Sequence, residues 1–421
     1  MNKNPNDKNV VKIRLDDKKP PASSQSTVME RLPSASPLQV APVSAQPAAG
    51  VSMNQLKNNY QSILRAGAIY YPVVYQFVEE LGRGRQGVVY LCHRQGARGC
   101  VTKHAIKVYD PGIYRSPEEY WTDMGRLASQ ITRLQALQSP NLVPMHSYEE
   151  TYGIGYSQME AIDGLDIRRL LSGDHLETAK RNSSPEEWAR FTKQLFHIEN
   201  NNIALQPGVV VYILRRMVRG LERLHSVNFL HSDIKPANIM TDRLGTIRIV
   251  DFGRAVLIGE KVTFLFGTPM YMAPEMHKRE PGLSQSDFFS IGLVALEMLT
   301  GNPLMDANAD EDALLKIKME LPDRLGDLIP PHVQKEKALI RIIRRLLEPE
   351  PAKRYGSAKE ADVGSEGLIV VDTQFAKEGV TADSGRILSD YLSKLVDLHT
   401  GRIEIQEGKT QASSMRSEII T

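Results

Sequence analysis

The sequence predicts an α+β chain whose strands gather early and whose long helices come later. Three observations carry this. Residues 75–81, 88–92 and 104–108 are short apolar runs separated by glycine and polar breaks, so they read as strands. Residues 117–137 and 209–226 read as helices, the second with Ile213, Met217, Leu221 and Leu224 on one face. Residues 288–299 are apolar nearly throughout, as a helix buried on all sides must be. At 421 residues the chain suggests two cores, or one core with tails.

Composition narrows the partners. The formal charge of +2 is near balance, and nothing in it argues for a nucleic-acid or membrane partner. Two cysteines, Cys92 and Cys100, cannot build a disulfide framework. They are expected to be reduced thiols of a cytosolic protein, placed to face each other across a hairpin. The N-terminus lacks the apolar region of a signal peptide. The longest apolar stretches fall short of the roughly 20 residues of a membrane span. A soluble, cytoplasmic protein is expected. Internal repeats and zinc-type Cys/His spacing are absent from the sequence.

Taken in order, residues 1–52 are polar and then rich in Pro, Ala and Ser. Such a segment buries too little apolar surface to offset its ordering entropy, and disorder is expected. Residues 53–74 read as a linker with a short helix, Leu56, Tyr60, Ile63 and Leu64 lying on one face. Gly82-Arg83-Gly84-Arg85-Gln86-Gly87 then joins two strands. Because it does not open a helix, it is not the dinucleotide-binding fingerprint. Alone it reads equally as a plain hairpin turn or as a loop whose glycines let backbone N–H groups approach phosphates with no Cβ in the way. Lys107 follows between apolar residues on the next strand, a pattern that also describes an edge-strand lysine facing solvent.

The chemistry concentrates in His231-Ser232-Asp233-Ile234-Lys235-Pro236-Ala237-Asn238 and in Asp251-Phe252-Gly253. Asp233 can accept a hydroxyl proton, and Lys235 can neutralise a phosphate. Asn238 and Asp251 are hard oxygen ligands of the kind Mg²⁺ takes alongside phosphates. Residues 239–240 and 246–250 read as strands turning at Leu244-Gly245, a hairpin that would hold Asp233, Asn238 and Asp251 together.

In this order the motifs resemble those of eukaryotic-type serine/threonine protein kinases, over residues 75–357. The resemblance implies a bilobal fold. An antiparallel-sheet N-lobe with one helix, with the hinge, would span residues 75–162. A larger, mainly helical C-lobe would span 163–357, with an insertion at about 173–206. ATP would lie between the lobes, under Leu81, Gly82, Gly84 and Gly87. Lys107 would hold its phosphates. Val89, Ala105 and Met240 would line the adenine, with Met159 as gatekeeper, Glu160 and Ile162 as hinge partners, and Asp166 at the ribose. Asn238 and Asp251 would hold Mg²⁺, Asp233 would be the base, Lys235 would meet the γ-phosphate, and Thr268 would bond Asp233 and Lys235. Asp287 would bind the catalytic-loop backbone and Arg354 would pair with Glu275. Leu134, Met145, His231 and Phe252 would form the regulatory spine.

Two departures stand out. The helix glutamate that normally pairs with the lysine falls on Gln130, whose amide oxygen can still accept a bond from Lys107. Asp123 is the nearest acid, two turns earlier on the same face. The family's His-Arg-Asp is here His231-Ser232-Asp233, a non-RD variant of a kind consistent with a bacterial source as well. Serine cannot pair with an activation-loop phosphate, and the usual phosphosite falls on Phe264, beside Thr263. The resemblance implies an ATP- and Mg²⁺-dependent serine/threonine kinase acting on protein hydroxyls. A nucleotide-binding pseudokinase or scaffold is the alternative, and Gln130 leaves room for an activating partner. Phosphorylation of a small molecule is the third reading, opposed by the peptide-docking segment 267–275. The insertion reads either as a docking element or as a surface extension. In the C-terminal extension, 358–421, residues 367–373 read as a strand and 384–398 as a helix, with no functional reading.

Overall fold

The computed structural model describes residues 51–69, 74–200, 202–261, 269–379, 383–397 and 402–403. The expected disordered tail lies almost wholly outside them. Two hydrophobic clusters organise these residues, one in a small sheet lobe and one in a larger helical lobe.

The small lobe opens with α1 (Met53–Ala66), capped by the Ser52 hydroxyl and stopped at Gly67 in the left-handed region. Its buried stripe, Leu56, Tyr60 and Ile63, enters the same core as Tyr120 and Tyr156, so the helix is built into the lobe. Six antiparallel strands follow: β1 (Ala68–Ile69), β2 (Tyr75–Gly84), β3 (Gly87–Gln95), β4 (Val101–Tyr109), β5 (Met145–Thr151) and β6 (Ile154–Glu160). Their order is β1-β2-β3-β4-β6-β5. Between β4 and β5 runs α2 (Pro117–Leu134), capped by Ser116 and three residues shorter than expected. β4 lies inside the sheet, between β3 and β6, which excludes an edge-strand Lys107. The β3–β4 register pairs Gln95 with Val101 and therefore Cys92 with His104. The two cysteines do not face each other: Cys92 is buried, Cys100 is exposed, and both are free thiols.

Gly87 closes the glycine hairpin opposite Gly84. Its φ is +141°, and a Cβ there would sit 2.0 Å from the Val108 carbonyl oxygen. Gly87→Ala should therefore splay the hairpin tip and cost more than about 1 kcal/mol. Thermal unfolding of the variant would read this, and an unchanged Tm would show that β4 can retreat.

In the larger lobe come β7 (Gly164–Asp166), α3 (Ile167–Ser172), α4 (Leu176–Arg181), α5 (Pro185–Gln194), the hairpin β8 (Phe196–Glu199) and β9 (Asn202–Leu205), and α6 (Pro207–Ser226). Then follow β10 (Phe229–Leu230), β11 (Ile239–Asp242), β12 (Ile247–Ile249) and β13 (Val256–Leu257). The chain continues with α7 (Pro274–His277), α8 (Ser284–Thr300), α9 (Glu311–Leu328) and α10 (Lys337–Leu346). β11 is the centre of a three-stranded sheet with β12 and β7, and β10 pairs with β13. α6 and α8 are the lobe's buried supports; Ile213, Met217, Leu221 and Leu224 are all inaccessible to solvent.

Three further helices follow: α11 (Ala358–Val363), α12 (Leu368–Lys377) and α13 (Ser384–Ser393). Residues 367–373 are thus helical where a strand is expected. Leu368, Val371 and Phe375 bury at helical spacing, a stripe hidden in the apolar run Leu368-Ile369-Val370-Val371. α13 ends earlier than expected. Both extra segments are packed into the lobe. Arg215 and Arg219 of α6 each reach Asp362 at 2.7 Å. The Tyr391 ring lies 5.3 Å from Phe191 and 5.1 Å from Phe196, and Lys394 pairs with Glu187 at 2.8 Å. The insertion and the C-terminal helices therefore hold each other.

Candidate active site

The loop from His231 to Asn238 hangs from α8. The buried carboxylate of Asp287 accepts from the backbone N–H of His231 at 2.9 Å and of Ser232 at 3.0 Å, and pairs with His225 at 2.8 Å. Burial pushes its pKa up, but the His225 contact and the accepted N–H groups outweigh this and hold it down. Ser232 has φ +61°, a left-handed turn that the two anchored N–H groups keep in place. His231 lies against the Val250 carbonyl at 3.0 Å and edge-on to Phe252. Phe252, Leu134 and Met145 line one small cavity, and His231 adjoins it through Phe252.

Asp233 is buried. Asn238 donates its amide to the Asp233 carbonyl at 2.7 Å and to Oδ2 at 3.0 Å, and Lys235 reaches the same Oδ2 at 2.9 Å. The β11–β12 hairpin brings Asp251 alongside, because the Val250 N–H donates to the Asn238 carbonyl at 2.9 Å. With its amide nitrogen spent on Asp233, Asn238 has its oxygen left as the end for a hard cation. That oxygen and the Asp251 carboxylate form a donor set suited to Mg²⁺.

Lys107 is 5% exposed and pairs with Asp251 Oδ1 at 2.6 Å. Burial lowers the lysine's pKa, but the Asp251 charge and hydrogen bond outweigh it, and the group stays charged. In the same way burial opposes the charge on Asp251, yet Lys107, Lys235 and the Gly253 N–H hold its carboxyl well below the usual range. Gln86 of the glycine hairpin also reaches in: its amide oxygen lies 3.3 Å from Lys107 Nζ, and its amide nitrogen 3.4 Å from the Gly253 carbonyl.

Gln130 is not the expected acceptor. Its amide nitrogen donates to the Ala255 carbonyl, and its buried oxygen has no hydrogen-bond partner. Asp123 is equally occupied, by Arg126 at 2.7 Å and by Tyr114 at 2.6 Å. Arg126 also donates to the Ala255 carbonyl at 3.2 Å. That carbonyl would stay satisfied in Gln130→Glu, and the new carboxylate could turn toward Lys107 in the shared cavity. Equal or higher phosphotransfer is expected of this variant in initial-rate measurements. A sharp fall would mean that α2 depends on its amide contact.

The remaining expected residues surround the cleft. Ala105 faces Met159 across β4 and β6, and Met159 in turn faces Met145 on β5. Val89 packs on this core, with Ile162 beyond the strand end. Gly82 and Gly84 open onto free space, and Leu81 is partly exposed beside them. Glu160 donates its N–H to the Pro144 carbonyl and binds Arg248 through its side chain at 2.9 Å. Met240 pairs in register with Asp166. Asp166 itself caps α3, accepting from the Arg169 N–H at 2.9 Å, as an ordinary strand leading into a helix cap would. Thr263, Phe264 and Thr268 lie outside the described residues. Two side chains the sequence reading passed over, Gln86 and Arg254, enter the site from positions beside its motif glycines. Arg354 meets Glu275 through two contacts, 2.7 and 2.8 Å.

Sheet lobe, helical lobe and a cleft lined by paired lysines and acids define the class of two-lobed phosphotransferases. The chain belongs to the protein kinase family: the family model described as "Protein kinase domain" matches residues 75–362. It is 28% identical to the putative ribosomal protein S6 kinase alpha-1 of Caenorhabditis elegans over 60% of this chain and 29% of that protein. It is 26% identical to ribosomal protein S6 kinase alpha-6 of Homo sapiens, covering 68% of this chain and 33% of that one. Serine/threonine-protein kinase PknD of Mycobacterium tuberculosis is 27% identical over 71% and 40% respectively. The chain thus spans well under half the length of these relatives. The crystal structure of the Mycobacterium tuberculosis PknI kinase domain aligns with a TM-score of 0.49 at 21% identity, covering 73% of this chain and 98% of that one.

Proposed function

We propose that this protein is an active serine/threonine kinase that transfers the γ-phosphate of ATP to a protein hydroxyl. The observation that carries the reading is the pair of buried Lys107 and half-buried Asp251, set beside an Asp233 held by Lys235 and Asn238. Backbone N–H groups of the glycine hairpin and Lys107 would position the phosphates, with adenine between Val89, Ala105, Met159 and Met240. Asn238 and Asp251 would hold Mg²⁺, which when bound neutralises phosphate charge. Asp233 orients the acceptor hydroxyl and takes its proton, while Lys235 faces the γ-phosphate. Little covalent work falls to the protein; positioning and charge supply the rate. Thr268 would complete the acceptor side.

The pseudokinase alternative rests on Gln130, and no contact in the cleft favours it. Activity would not depend on an activation-loop phosphate pairing with the catalytic loop, since Ser232 carries no charge. An exposed free Cys100 fits the reducing cytoplasm, and no helix among the described residues is long and apolar enough to cross a membrane. The test is transfer of labelled phosphate from Mg·ATP to the protein itself and to a basic protein substrate. Label on serine or threonine is expected. ATP binding with no transfer to either would move the reading to the pseudokinase.

A further inference from the structure

We infer that Arg254 is a further catalytic residue, its guanidinium binding the phosphoryl group as it transfers. The inference rests on the kinase reading above. Arg254 directly follows Gly253, and its Nη1 lies 3.7 Å from Asp233 Oδ1, beyond hydrogen-bond distance. The side chain is 13% exposed, and Nη1 is buried with no hydrogen-bond partner. A buried N–H of a permanent cation left without a hydrogen bond is destabilising. The fold keeps it there all the same, aimed at the acid that takes the acceptor's proton.

Asp233 Oδ2 is already engaged by Lys235 and Asn238, so an acceptor hydroxyl meets Oδ1, on the side of Arg254. Lys107, Lys235 and Arg254 face Asp233 and Asp251, an excess of one positive charge that suits phosphoryl oxygens. In the transfer the acceptor oxygen bonds to phosphorus. The bond from phosphorus to the ADP oxygen breaks with its electron pair, and the proton passes to Asp233. Arg254 donates to the non-bridging oxygens, where a planar guanidinium binds through two N–H groups at once. Ser232 brings no cation to the catalytic loop; Arg254 brings one from the neighbouring loop.

The experiment compares Arg254→Gln and Arg254→Lys with the wild type in the full chain. It measures single-turnover transfer from saturating Mg·ATP and the Kd values of ATP and ADP. Arg254→Gln should slow transfer by about 100-fold and weaken ATP by roughly tenfold while leaving ADP unchanged. Arg254→Lys should fold and recover part of both. An unchanged rate with an unchanged ATP-to-ADP ratio would overturn the inference. So would equal weakening of both nucleotides, the mark of a structural role, or a faster rate, the mark of a brake on Asp233. Absence of transfer in the wild type would remove the kinase reading instead, and the ATP-to-ADP ratio would still decide on Arg254.

Discussion

Replacing Asp233 with asparagine should abolish phosphoryl transfer, by at least about 10²–10³-fold, while ATP affinity changes by no more than about threefold. Lys235 and Asn238 both donate to Oδ2. An asparagine can present its amide oxygen to the same two donors, so the loop keeps its geometry. What it loses is the basic lone pair that, in the proposed function, takes the acceptor's proton. The effect should therefore fall on kcat, because in the proposed function the phosphates are held elsewhere, by Lys107 and the glycine hairpin. Single-turnover transfer and a nucleotide titration separate the two quantities. Retained turnover would remove Asp233 from its role; lost ATP binding would show that the acid also shapes the nucleotide site.

Glu275→Ala should be the most destabilising single change named here, at about 3–5 kcal/mol. Arg354 is fully buried, and its guanidinium meets both Glu275 oxygens at 2.7 and 2.8 Å. It also donates to the carbonyls of Gln285, Glu348 and Pro349. Removing the carboxylate leaves a desolvated charge that cannot leave the core. It also strips Ser286 of its acceptor, which lies at 2.7 Å. Calorimetric melting should show Tm lower by on the order of 5–15 °C. Glu275→Ala with Arg354→Met should recover part of the loss, since no uncompensated charge then remains. An unchanged Tm in the single variant would mean that the carbonyls alone satisfy Arg354.

Local patterns made much of this legible. The glycine hairpin, the loop from His231 to Asn238 and the strands that bring Asp251 beside it are all encoded within a few residues of one another. Turn and strand chemistry of that range is written in composition. α6 and α8 were visible because burial on one face, or on all faces, leaves a periodic or continuous apolar signature. α12 was misread for the complementary reason: four apolar residues in a row fit a strand as well as a helix, and only packing against α6 and α11 chooses between them.

By itself, then, the sequence determined the family and the order of the two lobes, and it marked Lys107, Asp233, Asn238 and Asp251 as the candidate site. Tertiary structure alone decided how these groups are paired. Lys107 and Asp251 stand 144 positions apart, and Gln130 and the Ala255 carbonyl 125 apart. No local propensity reports such contacts, because they form only when the sheet lobe closes on the helical one. The same holds for Gln86 and Arg254, whose side chains look like ordinary surface residues in the sequence. Whether a polar side chain meets water, a carboxylate or nothing is set by where the backbone carries it.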